Sequence, residues 1–357
     1  MEETTTVRTD GSHRRRVALG PFTAIWVATA LLFALSPLVA GGSVGASAIK
    51  AMLPFAAILA IAAVGQTLVV QQRGLDLSVP GTMSLAAALI TKVPHGDGGR
   101  LPLALLVVAL AAAACGLLIG LLVTRMGVTP LVATLGVNAL ALGTVLRITG
   151  GSIASNVPAG LSRFAGDAVL GIPVLALLAA ALIAVVWWVM RRTIVGRRFE
   201  LVGANAAAAE VAGIAVARYR VGAYVAASLC YAVAGVLFAA LTSAPSLFAG
   251  NPYLLPSIAA VVLGGTSLAG GRGSVVASGV GALFLTQLDQ VVLATGAQSA
   301  VQSLIQGAIV ALGMGLRNVP WRRALQRGRN GDLRRTAGPD TAAPASSAVT
   351  VETTRGA

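Results

Sequence analysis

Residues 191–220, RRTIVGRRFELVGANAAAAEVAGIAVARYR, form the longest mid-chain interval that does not read as membrane-buried. Arg191, Arg192, Arg197, Arg198, Arg218 and Arg220 stand toward its two ends, Glu200 and Glu210 lie between them, and long apolar runs flank it. Arginines at the mouths of apolar runs mark the cytoplasmic face of a membrane protein. Gly203 and Gly213 bracket ANAAAAEVA, a run of good helix formers, so a short helix lying across that face as a compact handle is expected. An ordinary solvated loop between spans fits the same residues.

Composition agrees with a membrane setting. Hydrophobic residues make up 56% of the chain and charged residues 11%, and the mean hydropathy is +0.85. That balance describes an integral membrane protein. The net charge of +14 does not point to nucleic acid, because the basic residues collect at span ends and in the tails instead of along one stripe. Cys115 and Cys230 both fall within apolar runs and read as small packing residues, which argues against a disulfide framework or a metal cluster.

Outward from the handle, apolar segments lie at 21–40, 51–70, 79–91, 101–123, 129–148 and 172–190, then at 221–241, 255–268, 275–294 and 300–316. The first is long enough to cross a bilayer core of about 30 Å and reads as an uncleaved span, although Ala46-Ser47-Ala48 resembles a signal cleavage site. Segments 79–91 and 255–268 are short enough to be re-entrant or broken. The expectation is an all-α polytopic protein with about ten transmembrane or re-entrant helices and both termini cytoplasmic. In that orientation Lys50, Lys92, Arg100, Arg147 and Arg163 face outward and the remaining 21 of 26 basic residues face inward. Residues 1–20 read as a cytoplasmic tail and 318–357 as a basic, then disordered, tail.

Several enzyme signatures fail. Gly41-Gly42-Ser43-Val44-Gly45 matches the hydrolase elbow pattern but follows a span, and the only histidines are His13 and His95. No Gly-Lys pair exists for a nucleotide-binding P-loop, so any ATP hydrolysis belongs to another chain. Gly116 and Gly120 have the small-xxx-small spacing of close helix contacts, a pattern expected by chance among 42 glycines. No catalytic, cofactor or metal residues are assigned.

Two glycine-rich interruptions are more telling: GLDLSVPGTMSL at 74–85 and GGTSLAGGRGS at 264–274. Each places one charged residue, Asp76 or Arg272, among turn formers between apolar segments, as breaks in transport helices do. Equally, Asp76 can cap the next helix and Arg272 can anchor an inner face.

The chain resembles the bacterial ABC permeases for ribose and related monosaccharides, which share ancestry with the branched-chain amino acid permeases. The resemblance covers roughly 52–316. Its blocks are Gly74-Leu75-Asp76-Leu77-Ser78-Val79; Thr134-Leu135-Gly136 with Thr149-Gly150-Gly151; Gly196-Arg197 with Gly203, Asn205, Ala209, Gly213 and Ile214; and Val262-Leu263-Gly264-Gly265-Thr266-Ser267-Leu268-Ala269-Gly270-Gly271-Arg272-Gly273-Ser274. The last block is highly specific.

This resemblance implies that residues 21–317 form a permease domain in the bacterial plasma membrane, paired with a second permease copy. A cytoplasmic ATPase would couple through 191–220, at Gly196, Arg197, Gly203, Asn205, Ala209 and Gly213, and an extracytoplasmic binding protein would deliver the sugar. Gly264, Gly265, Gly271, Arg272 and Gly273 are the motif loop. Asp76, as a charged residue in a helix break, and Asn138, Gln302 and Gln306, as neutral amides that can hold a sugar without trapping it, are candidates for the passage; as interhelical hydrogen-bond partners, the amides also read as glue. Arg73-Gly74 and Pro80 depart from the resembling permeases, as do Leu293, Ala300, Val301 and Gln306, which leaves the sugar open. Other readings are a permease for a nucleoside, polyol or amino acid, and an ion-coupled secondary transporter using Asp76 or Asp289.

Overall fold

In lipid a chain can satisfy its backbone N–H and C=O groups only within helices or a closed barrel, and this one uses helices. The computed structural model describes residues 22–152 and 157–296, with 304, 307 and 308. Along it run α1 (Thr23–Val39), α2 (Ala46–Gln71), α3 (Val79–Lys92), α4 (Leu101–Thr124), α5 (Pro130–Thr149) and α6 (Ala159–Gly166), then α7 (Val174–Arg192), α8 (Ile194–Ala204), α9 (Ala206–Val211), α10 (Val216–Thr242), α11 (Leu254–Leu263) and α12 (Val275–Ala294). Six of them, α2, α4, α5, α7, α10 and α12, are long and apolar enough to cross a membrane, whereas α1, α3 and α11 are shorter. The chain is therefore an all-α multi-pass membrane protein. Apart from 304, 307 and 308, segment 300–316 lies outside the described residues, as do both tails.

Two details depart from the sequence expectation. Segment 255–268 stops being helical at Leu263, because Gly264 and Gly265 turn the chain and Gly265 takes φ 88°. Ile172 and Pro173 do not begin α7; they form β2 (Ile172–Pro173), antiparallel to β1 (Ala168–Val169) across Leu170-Gly171, both at positive φ.

Burial identifies α2 as the axis. Its apolar window is 89% buried, against 11% for α7 and 28% for α4 and α5. A helix apolar all round belongs inside a bundle, and α2 packs against α10, α12, α7 and α11. Between membrane helices close approach requires small residues. A Cβ on Gly65 would stand 2.9 Å from the Ala227 carbonyl. A Cβ on Gly116 would stand 2.6 Å from the Tyr224 carbonyl, and one on Gly120 2.9 Å from Val221 Cα. The Gly116/Gly120 spacing is thus a real α4–α10 seat, contrary to the chance reading.

Both α2 and α10 are followed by a stretch that returns into the bundle and opens a short helix. The stretch leading into α11 meets the first half of α3: the Gly250 N–H donates to Ser84 Oγ at 3.0 Å, and a Cβ on Gly250 would stand 2.8 Å from Pro80 Cα.

Candidate functional site

The handle is two helices rather than one short helix between glycines. Thr193 caps α8, its Oγ1 accepting from the Gly196 N–H at 3.2 Å. Gly196 is buried against the Met190 backbone, where no side chain fits. Arg197 is exposed on α8. Gly203 does not break the helix; it lies within α8, pressed on the Gln71 carbonyl so closely that even a methyl group would collide. Asn205 then caps α9, its Oδ1 accepting from the Ala208 N–H at 3.1 Å. Ala209 is buried with Val202 and Val216. Gly213, at φ 74°, ends the handle while the Ile214 N–H donates to the Ala209 carbonyl at 2.9 Å.

Beneath α8 sits a junction of three chain segments. The Gly271 N–H donates to the Gln71 carbonyl at 2.9 Å. Gln72 Nε2 donates to the Phe199 carbonyl at 2.9 Å. Arg73 Nε donates to the Gly203 carbonyl at 3.0 Å and Nη2 to the Ala204 carbonyl. The motif loop is closed by the Ser267 N–H donating to the Arg272 carbonyl at 2.9 Å. Gly270 and Gly271 take φ 83° and 75°, and a Cβ on Gly271 would stand 2.7 Å from Ala204 Cα. Gly264 backs onto α12, where a Cβ would stand 2.7 Å from the Ser278 nitrogen, and Gly273 packs on the Gln71 amide. Arg272 itself is exposed. The handle glycine Gly203 and loop glycine Gly271, far apart in sequence, thus serve one contact.

The interior residues divide. Asp76 is fully buried, and its Oδ1 accepts from the Ser78 N–H at 2.8 Å and from Ser78 Oγ at 2.7 Å, an Asx turn that launches α3. Asp76 Oδ2 is buried and, among the described residues, has no partner of hydrogen-bonding geometry. The Tyr231 hydroxyl lies beside this carboxyl. Asn138 accepts from the Gly81 N–H at 2.7 Å, tying α5 to the first turn of α3. Gln287 Nε2 donates to Ser36 Oγ at 3.1 Å, fastening α12 to α1. Gln302 and Gln306 lie outside the described residues.

Two large cavities among the described residues flank this framework. One, of about 620 Å³, lies under the handle between α7, α8 and α10, with Arg198, Phe199, Arg218 and Tyr219 on its walls. The other, of about 670 Å³, is bounded by α2, α10, α11 and α12, with Phe55, Tyr253, Thr286, Asp289 and Gln290 among its lining residues. Sequence reading passed over Gln72, the Tyr231 hydroxyl and the aromatic wall of this second cavity; only the GxxxG spacing of Gly116 carried a visible signal.

Comparison with known proteins fits this arrangement. Residues 48–313 match the family described as branched-chain amino acid transport system / permease component. The chain is 35% identical over 270 residues to the autoinducer 2 import system permease protein LsrC of Enterobacter sp. (strain 638), covering 76% of this chain and 78% of that protein. It is 32% identical over 296 residues to the ribose import permease protein RbsC of Bacillus subtilis (strain 168), covering 82% and 90%. No solved structure matches it significantly. The family match spans most of the chain, from α2 to beyond α12, and includes the handle and both glycine-rich interruptions; the protein accordingly belongs to the branched-chain amino acid transport system / permease component family, as an inner-membrane transport subunit rather than an enzyme.

Proposed function

We propose that this chain is the permease of an ATP-binding-cassette importer that carries a monosaccharide-type solute into the cytoplasm by alternating access. The observation that carries the reading is the junction: α8–α9 is a compact surface element hydrogen-bonded through Gln72 and Arg73 to the broken stretch between α2 and α3. Such an element can receive a rigid-body push and pass it inward. The names of the relatives, a ribose importer and an autoinducer 2 importer, support a sugar-like solute. In this reading the handle and both termini are cytoplasmic, and segment 300–316 and the short helices bring the membrane segments to about ten. The ATPase docks on α8–α9, a second permease copy completes the transporter, and an extracytoplasmic binding protein delivers solute at the far end. The α2–α11–α12 cavity is mostly apolar, but Phe55 and Tyr253 with Thr286, Asp289 and Gln290 give it aromatic faces and polar groups that suit a sugar entering from that end.

The test is uptake into proteoliposomes that hold the permease with its ATPase and binding protein. ATP at the ATPase face should drive accumulation of labelled ribose or a related sugar, and a proton or sodium gradient alone should not. Accumulation on a gradient without ATP would overturn the reading.

A further inference from the structure

Arg73 occupies an unusual position for its residue type. It is the last residue of the turn that ends α2, and its φ of 63° lies in the left-handed region that favours glycine. Something must hold it there. Its guanidinium reaches across to donate to the carbonyls of Gly203 and Ala204, the last two residues of α8. Carbonyls at a helix C-terminus have no intrahelical partner and carry partial negative charge, so a cation there is doubly favourable. The stem of Arg73 lies over Gly270, where any side chain would collide with its Cγ. On the other side, Gly74 is pressed against Val69 and against the Tyr224 hydroxyl of α10, which a Cβ would approach to 2.5 Å. Two residues further on, Asp76 launches α3.

We propose that Arg73 is the positioning residue that transmits movement of the handle to the broken stretch preceding α3. The guanidinium grips α8 at its C-terminus, the strained backbone of Arg73 leaves the following residues no slack, and Gly74 conveys displacement to the Asp76 turn. Gln72, which grips the Phe199 carbonyl one turn earlier, gives the same stretch a second hold, so a shift of α8 moves residues 72–74 together. This inference rests on the ABC-importer reading, and the experiment separates the two.

The complete transporter is reconstituted with wild-type permease, Arg73→Gly and Arg73→Lys, and both ATP hydrolysis and sugar uptake are measured. Glycine tolerates the left-handed backbone but releases α8; lysine keeps the charge but cannot hold both carbonyls with a planar fork. Arg73→Gly is expected to retain hydrolysis within about twofold while uptake per ATP falls at least about tenfold, with Arg73→Lys between it and wild type. A drop in thermal stability with unchanged uptake per ATP would reduce Arg73 to a helix cap and overturn the proposal, as would no change in either. If Arg73→Gly does not assemble, Arg73→Lys decides: a several-fold loss of uptake per ATP supports transmission, and wild-type coupling refutes it. Absence of ATP-dependent uptake with wild-type permease would instead refute the importer reading.

Discussion

The Tyr231 hydroxyl donates a 2.9 Å hydrogen bond to Gln66 Oε1 in the buried crossing of α2 and α10. One residue earlier, Gly65 lacks a side chain because Ala227, Cys230 and Tyr231 fill the space where one would stand. Lipid offers no hydrophobic drive for helix association, so these membrane helices are held by close approach and by polar side chains that find partners. Gln66 belongs to that fastening.

Removing the hydroxyl with Tyr231→Phe leaves Gln66 Oε1 unpaired beside Nε2, which has no partner among the described residues. The expected loss is about 1 kcal/mol of stability. Adding Gln66→Leu removes the orphaned amide and should recover part of that loss. Thermal unfolding in detergent reads both changes, and ATP-driven uptake should persist in each variant. Loss of uptake at unchanged stability would place Gln66 in the passage instead.

The α4–α10 seat predicts a contrast between two glycines. Gly116→Ala puts a methyl group 2.6 Å from the Tyr224 carbonyl, which forces the two helices apart. A destabilisation of roughly 1–3 kcal/mol follows from overpacking. Gly143, in α5, has nothing among the described residues within 4 Å of the same position. Gly143→Ala should therefore be neutral or stabilising by up to about 1 kcal/mol through helix propensity. Equal effects of the two substitutions on the unfolding midpoint would refute the close contact.

Much of this architecture is legible in the sequence because the bilayer imposes a length and a hydrophobicity on every crossing. The breaks at Asp76 and at Gly264 are legible too, since glycine clusters interrupt long apolar runs. Contact glycines are not. Gly203 looks like a helix breaker, yet it lies inside α8 because the Gln71 carbonyl leaves no room for a side chain. Gly116 has a recognisable spacing, but a chain with 42 glycines offers that spacing by chance. The reach of Arg73 to Gly203 leaves no local pattern either: the two residues are 130 positions apart, and a side chain that pairs with backbone carbonyls imposes no residue type on its partner.

The proposed orientation rests on the placement of the basic residues. With the handle inside, Ala207 on α9 faces the cytoplasm and Gly98, in the turn before α4, faces outward; both are exposed. Cysteines placed at Ala207 and at Gly98, in a chain whose Cys115 and Cys230 are replaced by alanine, should react differently with a membrane-impermeant maleimide in intact cells. Labelling is expected at residue 98 alone, with residue 207 reached only after permeabilisation. Equal labelling in intact cells rules this topology out.

On the handle, Ala208 is the clean position to perturb. Its side chain is exposed on α9, and only its backbone is engaged, the N–H with the Asn205 cap and the carbonyl with the Ala212 N–H, so Ala208→Asp leaves the fold intact. A carboxylate placed on the proposed docking surface must be desolvated when a partner covers it. Uptake should fall about tenfold or more through weakened ATPase binding, measurable as reduced co-purification of the ATPase. Retained co-purification and uptake would remove α9 from the interface.

Asn138 offers the sharpest choice between passage and framework. Its Oδ1 accepts from the Gly81 N–H at 2.7 Å, in the first turn of α3 where backbone donors have no helical partner. A Cβ on Gly81 would stand 2.7 Å from the Asn138 carbonyl, so α3 and α5 touch here backbone to backbone. The side chain therefore acts on α3 as a cap supplied by another helix. Asn138→Ala should cost about 0.5–2 kcal/mol, the range for losing a helix cap. Asn138→Asp keeps an acceptor at the same place, and a carboxylate at a helix N-terminus is favourable. The aspartate variant should recover most of the stability that alanine loses, with sugar KM near wild type. If both variants shift KM equally while stability is unchanged, Asn138 faces the solute rather than Gly81.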